Sequence, residues 1–326
     1  MTLPDDGPAP SAGPLASGRG SGTGTGVASP SPAPVPFLPG RAAITRTHGV
    51  NPFEVTAQEG EHYDAVRPSY PEAAVDWVLE GLQAPLDVVD LGAGTGLFTR
   101  LLAGRPAAEV RSVAAIEPSE AMRAVLAREV AHAQTPGRPA PRDGREAVRD
   151  EGAEAVRTAG RVSALPGTAE ATGLAEGSAD VVVAAQAWHW VDVPAASAEA
   201  ARVLRPGGRL AAVWNQLDTT VPWVHRLTRI MHAGDVHAAA PEQRRFAAPF
   251  GAEEHARWTW TDTATPEGLH ALMASRSYWL RADERIRARM TANLDWYLHE
   301  HLRHAPGERI ELPYVTVAWR TRAPRR

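Results

Sequence analysis

One short segment, residues 86–96, constrains the fold of this chain more than any other. Its sequence is LDVVDLGAGTG, an apolar run that is followed by a turn with a glycine at every second position. Apolar runs of this length, rich in Val and Leu and closed by a glycine turn, are typical of buried parallel strands. The next residues, LFTRLLA at 97–103, have the apolar spacing of a helix. The sequence therefore predicts a strand, a tight turn and a helix in succession.

This strand, turn and helix predict a nucleotide pocket at the carboxyl edge of a parallel sheet. Gly92, Gly94 and Gly96 form the pattern G-x-G-x-G. The dinucleotide pattern is G-x-G-x-x-G, and Leu97 stands where its last glycine would be. Asp90 at the strand end would also repel the diphosphate that a dinucleotide site holds at a helix N-terminus. S-adenosylmethionine, which carries a sulfonium and an ammonium but no phosphate, suits these residues better.

The rest of the chain alternates strands with helices, which is typical of an α/β fold with a parallel sheet. Apolar runs predict strands at 86–91, 110–116, 161–165, 179–187, 209–215, 256–262 and 308–321. Helical spacing predicts helices at 71–82, 96–103, 119–130, 194–204, 266–274 and 283–302. We therefore expect a seven-stranded, mostly parallel sheet with helices on both faces.

Composition divides the chain into a tail and one domain. Residues 1–45 are rich in Gly, Pro, Ser and Ala and lack apolar periodicity, so we expect a disordered tail before a domain at 46–326. Residues 131–160 are polar and contain several Pro and Gly, which predicts a surface insertion, and their spacing allows a partly helical stretch at 145–158. Residues 218–255 are expected to form a helical lid over the pocket.

Charge and composition restrict the class of partner. A net charge of −4 and a pI near 6.3 argue against nucleic acid as a partner. The chain has no cysteine, which excludes disulfides and Cys-bound metals, and it begins without a recognisable signal peptide. No apolar run approaches the length of a membrane span. The expected protein is soluble and cytoplasmic, and the sequence leaves its oligomeric state open.

Five segments carry a resemblance to a known family. They are DLGAGTG, IEPSEAM (116–122), GTAEATGL (167–174), VVVAAQAWHW (181–190) and ARVLRPGGRLAAVWN (201–215). In this order and spacing they resemble the class I S-adenosylmethionine-dependent methyltransferases, and most closely the branch that acts on small molecules. The resemblance covers about residues 48–326. It implies S-adenosylmethionine as cofactor, a small-molecule acceptor and one antiparallel strand in the sheet.

The ribose of the cofactor is expected to bind at Glu117. This residue ends the second predicted strand, 25 positions after Gly92, and its position predicts a solvated acid at a strand end. A carboxylate placed there can accept hydrogen bonds from both ribose hydroxyls, as in dinucleotide sites. Together with Asp90 and the three glycines, Glu117 completes the part of the site that follows from the residues themselves.

The resemblance implies further site residues. Ala169 and Glu170 would border the adenine, and Gln186 would lie beneath the methionine part of the cofactor. In the segment HYDAVRPSYP, Tyr63 and Arg67 would approach the methionine end, where an arginine suits a carboxylate.

His189 is the candidate catalytic residue, since it would lie near the transferred methyl group. Because methyl transfer is an in-line displacement, proximity and alignment supply much of its acceleration, and a strong base is not required. The sequence leaves open whether His189 contacts the acceptor or is structural.

No metal site is expected. LHEHLRH, around His299, lacks the spacing of H-E-x-x-H because Arg303 occupies the position of the second His. Two functional alternatives stay open. One is a nicotinamide-dependent oxidoreductase, against which the glycine spacing, Asp90 and the absence of any lysine weigh. The other is a protein that binds S-adenosylmethionine without catalysis, because the motifs report cofactor binding and not turnover.

Overall fold

A computed structural model describes residues 66–133, 156–158, 161–232 and 246–324. The predicted tail at 1–45, most of the predicted insertion, the middle of the predicted lid and Tyr63 lie outside these ranges. The three long ranges contain the helices and most of the sheet, and 156–158 is a single short strand.

The strands form a single mixed sheet. They are β1 (Leu86–Leu91), β2 (Val110–Ile116), β3 (Val156–Thr158), β4 (Val162–Leu165), β5 (Ala179–Ala185), β6 (Leu204–Leu217), β7 (Glu253–Ala264) and β8 (Ile310–Arg322). Their order across the sheet is β3-β4-β2-β1-β5-β6-β8-β7. The contacts from β4 through β6 are parallel, whereas β8 pairs antiparallel with both β6 and β7.

The helices lie between these strands and after them. They are α1 (Glu72–Leu79), α2 (Leu97–Ala103), α3 (Glu120–Ala133), α4 (Val193–Val203), α5 (Pro222–Ile230), α6 (Pro266–Ala274), α7 (Ser277–Arg281) and α8 (Glu284–Asp295). A 3₁₀ turn covers Trp188–Trp190, and a π-helical turn, Trp296–His301, follows α8.

This architecture confirms the Rossmann-like α/β fold and the single antiparallel strand among the seven predicted ones. The described sheet has one strand more than predicted, because the three residues of β3 pair antiparallel with β4 at the sheet edge. The spacing at 145–158 allows a helix, whereas its last three residues form this strand instead. Pairing with β4 supplies the backbone partners that local spacing does not show. Helix α7 was not predicted.

Two apolar layers cover the sheet. Val88 in β1 faces a layer with α1, α2 and α3, whereas its neighbour Val89 faces a layer with α4. The alternation follows from the strand geometry, in which successive side chains point to opposite faces. Because both faces are covered, β1 and β5 are buried along almost their whole length, and this explains their continuous apolar sequence.

A third apolar cluster lies beyond the carboxyl end of β6. It joins α5, α6 and α8 to the start of β8 through residues such as Leu227, Met273 and Leu294. This cluster fixes the segment between α6 and α7 next to the carboxyl edge of the sheet. No helix among the described residues is long and apolar enough to cross a membrane.

Candidate active site

The glycine turn after β1 is held against the end of β2. The main-chain N–H groups of Gly92 and Ala93 both donate to the carbonyl oxygen of Ile116, at 2.8 and 3.1 Å. Gly92, Gly94 and Gly96 have φ values of 63°, 58° and 89°, in the left-handed region that side chains disfavour. The turn therefore requires glycine at all three of its predicted positions.

The space around the three glycines differs. A Cβ atom at Gly92 would lie 2.7 Å from the Cβ of Ala187, and one at Gly96 would lie 2.8 Å from the Cγ of Leu126. A Cβ at Gly94 would meet only the Sδ of Met122, at 4.0 Å. Gly92 and Gly96 thus allow close packing of the protein itself, whereas Gly94 borders open space.

Glu117 is buried rather than solvated, which corrects the expectation from its position at a strand end. The residue is 2% exposed. Its Oε2 accepts a hydrogen bond from the Gly94 N–H at 2.9 Å, and its Oε1 accepts one from the Ser119 N–H at 2.9 Å. The carboxylate is removed from water because the turn and the loop after β2 close over it, and it is oriented by two backbone donors.

Asp90 lies behind the turn and does not line the cavity at the carboxyl edge of the sheet. Its Oδ2 accepts a hydrogen bond from the hydroxyl of Thr99 in α2 at 2.6 Å. Burial raises the pKa of Asp90 to about 7, against an opposing effect of the Thr99 hydrogen bond and with a further increase from the charge of Glu117. Asp90 therefore ties the strand end to the first turn of α2, and its direct contact with a cofactor stays a prediction.

This cavity has a volume of about 240 Å³. Its wall brings together residues that lie up to 213 positions apart, from Arg67 before α1 to Leu280 in α7. Predicted site residues on this wall are Arg67, Gly92, Gly94, Glu117, Ala169, Glu170, Gln186 and His189. Gly96 does not line it.

The predicted adenine and methionine residues have defined partners. The Oε1 of Glu170 accepts a hydrogen bond from the main-chain N–H of Asp192, which caps α4, at 2.9 Å. The side-chain amide of Gln186 donates to the carbonyl oxygen of Asn215 at 2.6 Å, and its φ of 54° is unusual for a residue other than glycine. Both side chains are thus fixed at the cavity wall by backbone groups of neighbouring elements.

The imidazole of His189 is oriented by Trp214 in β6. The indole Nε1–H donates to the Nδ1 of His189 at 3.2 Å. An indole nitrogen can only donate, so Nδ1 must be unprotonated, and a neutral imidazole then carries its proton on Nε2. This arrangement favours His189 as a hydrogen-bond donor through Nε2 over a general base at that atom.

The described cavity wall also contains residues that sequence reasoning did not select. Tyr70 and Arg67 belong to the same R-P-x-Y-P string, so the string itself could have indicated the tyrosine. Met122 lies in the first turns of α3, directly after the Glu117 loop. Ser275 and Leu280 belong to the C-terminal segment, whose sequence carries no motif, and only the fold brings them to the cavity.

Comparison with known proteins agrees with this geometry. A family model described as a methyltransferase domain matches residues 89–212. An uncharacterized methyltransferase of Mycobacterium tuberculosis is 37% identical over 259 residues, which cover 79% of this chain and 91% of that protein. The chain belongs to the class I S-adenosylmethionine-dependent methyltransferases. This membership sets aside the oxidoreductase alternative.

Two further similarities extend to other organisms. An uncharacterized methyltransferase-like protein of Schizosaccharomyces pombe is 28% identical over 265 residues, which cover 79% of this chain and 91% of that protein. A solved structure of a proposed type II methyltransferase from Anaeromyxobacter dehalogenans superposes with a TM-score of 0.56 at 25% identity. That match covers 80% of this chain and 99% of the other.

The wall of this methyltransferase cavity fits S-adenosylmethionine, the methyl donor of the family. It offers an oriented carboxylate at Glu117 for hydroxyl groups, apolar side chains at Leu91 and Met122, and a cradle at Gly94 that a side chain would narrow. Among the described residues, no group of three or more His, Asp or Glu is arranged to hold a metal ion.

Proposed function

We propose that this methyltransferase transfers a methyl group from S-adenosylmethionine to a small-molecule acceptor and leaves S-adenosylhomocysteine. One observation carries the proposal. A single cavity is lined both by the glycine turn with Glu117 and by His189 and Trp190. Cofactor-binding groups and groups suited to an acceptor thus share one space.

The residues predicted from the sequence take separate roles in this proposal. The Glu117 carboxylate accepts hydrogen bonds from the ribose hydroxyls, and its two backbone donors keep it aimed at them. Ala169 and Glu170 border the adenine. Gln186, Arg67 and Tyr63 hold the methionine part, and the Arg67 guanidinium suits its carboxylate. Asp90 supports the turn from behind, and Gly96 ends the turn where α2 begins.

The chain contributes mainly positioning to the reaction. When bound, S-adenosylmethionine supplies a methyl group on a sulfonium, which is a good leaving group. His189 and Trp190 line the cavity beside Gln186, so they are placed to align the acceptor. The Nε2–H of His189 can donate a hydrogen bond to an acceptor oxygen or nitrogen. The reaction does not require a strong base.

The segments that cover the cavity suit a small acceptor. Arg67 and Tyr70 reach it from the chain before α1, and Ser275 and Leu280 reach it from the segment after α6. The Nη2 of Arg67 donates to the carbonyl oxygen of Ser275 at 3.2 Å, which joins these two covering segments.

The net charge of −4 also disfavours a nucleic acid acceptor. A cytoplasmic location and a domain spanning 46–326 stay predictions from the sequence.

Methyl-labelled S-adenosylmethionine distinguishes this proposal from binding without catalysis. The protein is incubated with the label and with the small-molecule or the macromolecular fraction of a cell extract, and products are followed by mass spectrometry. With the wild type we expect label in small molecules only. With the matched variant Gly94→Val we expect no labelled product. Label in protein or nucleic acid would contradict the small-molecule acceptor. Binding of S-adenosylmethionine to the protein without its consumption in either fraction would favour the non-catalytic alternative.

A further inference from the structure

Strand β7 forms one edge of the sheet, and among the described residues its only strand partner is β8. The two strands pair without interruption along the whole of β7, from residue 253 to residue 264. This stretch contains no proline, which is one of the features that block pairing at a sheet edge. A long, regular edge strand presents a row of backbone N–H and C=O groups that another strand can bind.

The hydrogen bonds of β8 show which of its backbone groups face β6. In an antiparallel ladder the N–H and C=O of one residue point to the same side, and successive residues alternate. The carbonyl oxygen of Pro313 accepts from the N–H of Asp218, which directly follows β6, at 2.9 Å. The N–H of Ala323, directly after β8, donates to the carbonyl oxygen of Gly208 in β6 at 2.8 Å. The odd-numbered residues of β8 therefore face β6 and not β7.

The odd-numbered residues of β7 consequently point their backbone groups away from the sheet. Thr261 lies opposite Pro313, whose backbone faces β6, so the N–H and C=O of Thr261 face outward. Thr263 agrees with this alternation, because its N–H donates at 2.8 Å to the side chain of Asp262. The outer edge of β7 thus offers the backbone groups of every second residue.

The side chains along this edge are accessible on one face and fixed on the other. Arg257, Thr259 and Thr261 are exposed. On the opposite face Trp258 and Trp260 are half-buried, and each packs against an aromatic ring of a neighbouring element. The backbone donors and acceptors of the edge are therefore held in place by side chains that are already packed.

We propose that β7 pairs in antiparallel orientation with β7 of a second copy of this chain, with the two-fold axis at Thr259. Thr259 then faces its own counterpart, and Arg257 faces Thr261 of the second copy on either side of the axis. Each of these three pairs exchanges two backbone hydrogen bonds, so the contact supplies about six. The pairing ends at Asp262, whose carboxylate already accepts the N–H of the next residue.

The sequence of β7 suits a second copy in this register. Trp258 lies opposite Trp260 of the second copy, and such aromatic cross-strand pairs stabilise a sheet. No like charges lie opposite each other. With the axis one residue earlier, Glu254 would lie opposite Asp262, and like charges directly opposite are destabilising. With the axis one residue later, the paired stretch would be shorter. The self-complementary register at Thr259 is the reason for choosing a second copy as the occupant of this edge.

The first test measures self-association of the full chain by sedimentation equilibrium. We expect a reversible monomer–dimer equilibrium for the wild type. Thr259→Pro removes an N–H that faces outward, a position where an edge strand tolerates proline. It should raise the dimer dissociation constant about tenfold or more, because two hydrogen bonds are lost across the axis. Thr259→Val keeps the N–H and the branched shape, so this matched control should dimerise like the wild type.

The second test uses the absence of cysteine from the chain, which makes a single introduced thiol unambiguous. In Thr259→Cys the two Cα atoms would lie about 5.5 Å apart, within the range that a disulfide spans. In Thr263→Cys the two positions are offset by eight residues, roughly 26 Å along the strands. Oxidation should therefore produce a disulfide-linked dimer of Thr259→Cys and none of Thr263→Cys.

The two tests decide the proposal together. A wild type that stays monomeric at every concentration overturns it and assigns the edge to another occupant, such as a segment of residues 1–65 or a different protein. A dimer that Thr259→Pro leaves intact, or equal cross-linking of both cysteine variants, also overturns it. Urea unfolding shows whether each variant is folded. If Thr259→Pro is not folded, the cysteine pair alone decides, and a wild-type dimer without cross-linking of Thr259→Cys contradicts the register.

Discussion

The side-chain oxygen Oε2 of Glu117 lies 2.9 Å from the main-chain nitrogen of Gly94 and accepts its hydrogen bond. This contact joins the end of β2 to the turn after β1, which are separate motifs in the sequence. The acid proposed to hold the ribose and the glycine that leaves room for the cofactor therefore fix each other's position. A change at either residue should affect both folding and binding.

Replacement of Glu117 by Ala should destabilise the protein even without ligand. The buried N–H groups of Gly94 and Ser119 would lose their acceptors, and each loss costs about 1–3 kcal/mol. We expect the free energy of unfolding, measured with urea, to fall by about 2 kcal/mol or more. Glu311→Ala, at an exposed position of β8, is the control and should have little effect. An unchanged unfolding curve for Glu117→Ala would show that these hydrogen bonds contribute nothing.

The glycine turn can be tested with two glycines of similar backbone conformation. Gly94 and Gly173 have φ values of 58° and 74°, and nothing lies within 4 Å of a Cβ at Gly173. Alanine at either position adds left-handed strain of about 1–2 kcal/mol. Only Gly94→Ala should also weaken S-adenosylmethionine binding in calorimetric titration, because only Gly94 borders the cavity. Equal affinities in both variants would place the cofactor away from this turn.

Asp90 should make stability depend on pH. Its folded-state pKa of about 7 lies above its ordinary value of 3.8, so the folded protein binds the proton more tightly than the unfolded chain. The resulting stabilisation is complete below about pH 4 and is lost as the pH rises to about 7. We expect urea unfolding to show this decline in the wild type.

Asp90→Asn should lack that decline, because an amide does not titrate in this range. Asp76→Asn, at an exposed position of α1, serves as the control and should keep the wild-type pH dependence. Parallel pH profiles for the wild type and Asp90→Asn would mean that Asp90 is ionised in the folded protein throughout this range.

The Trp214–His189 hydrogen bond predicts which substitutions at His189 preserve turnover. A glutamine can present an N–H donor near the position of Nε2, whereas an alanine cannot. Once an acceptor is identified, His189→Ala should lower kcat about tenfold with little change in cofactor affinity, and His189→Gln should retain most of the activity. A much larger loss in both variants would instead indicate a general base, which an amide cannot replace.

The sequence predicted the parts of the site that depend on local pattern. The run before Asp90 and the alternating glycines identify β1 and its turn because strand burial and left-handed φ values restrict residue type directly. The apolar run at 110–116 likewise placed Glu117 at the end of β2. It did not show that Glu117 is buried, because that burial depends on Gly94 and Ser119 closing over the carboxylate.

Features that depend on contacts between distant elements could not be predicted. Trp214 reaches His189 because β6 pairs in parallel with β5, which brings their carboxyl ends together. Ser275 and Leu280 reach the cavity because the C-terminal cluster fixes the segment after α6 at the sheet edge. Trp214 belongs to the segment 201–215, whereas Ser275 and Leu280 belong to no motif. In each case only the three-dimensional arrangement shows the contact.

Calorimetric titration of the wild type and of Glu117 variants tests most directly whether this cavity binds S-adenosylmethionine through the ribose. We expect saturable micromolar binding of S-adenosylmethionine to the wild type and no saturable binding of NAD or NADP. Glu117→Ala should weaken S-adenosylmethionine by roughly tenfold to a hundredfold, and Glu117→Gln by less, since an amide oxygen still accepts a hydrogen bond. Equal affinities in the three proteins, or tighter binding of NAD, would contradict this assignment of the site.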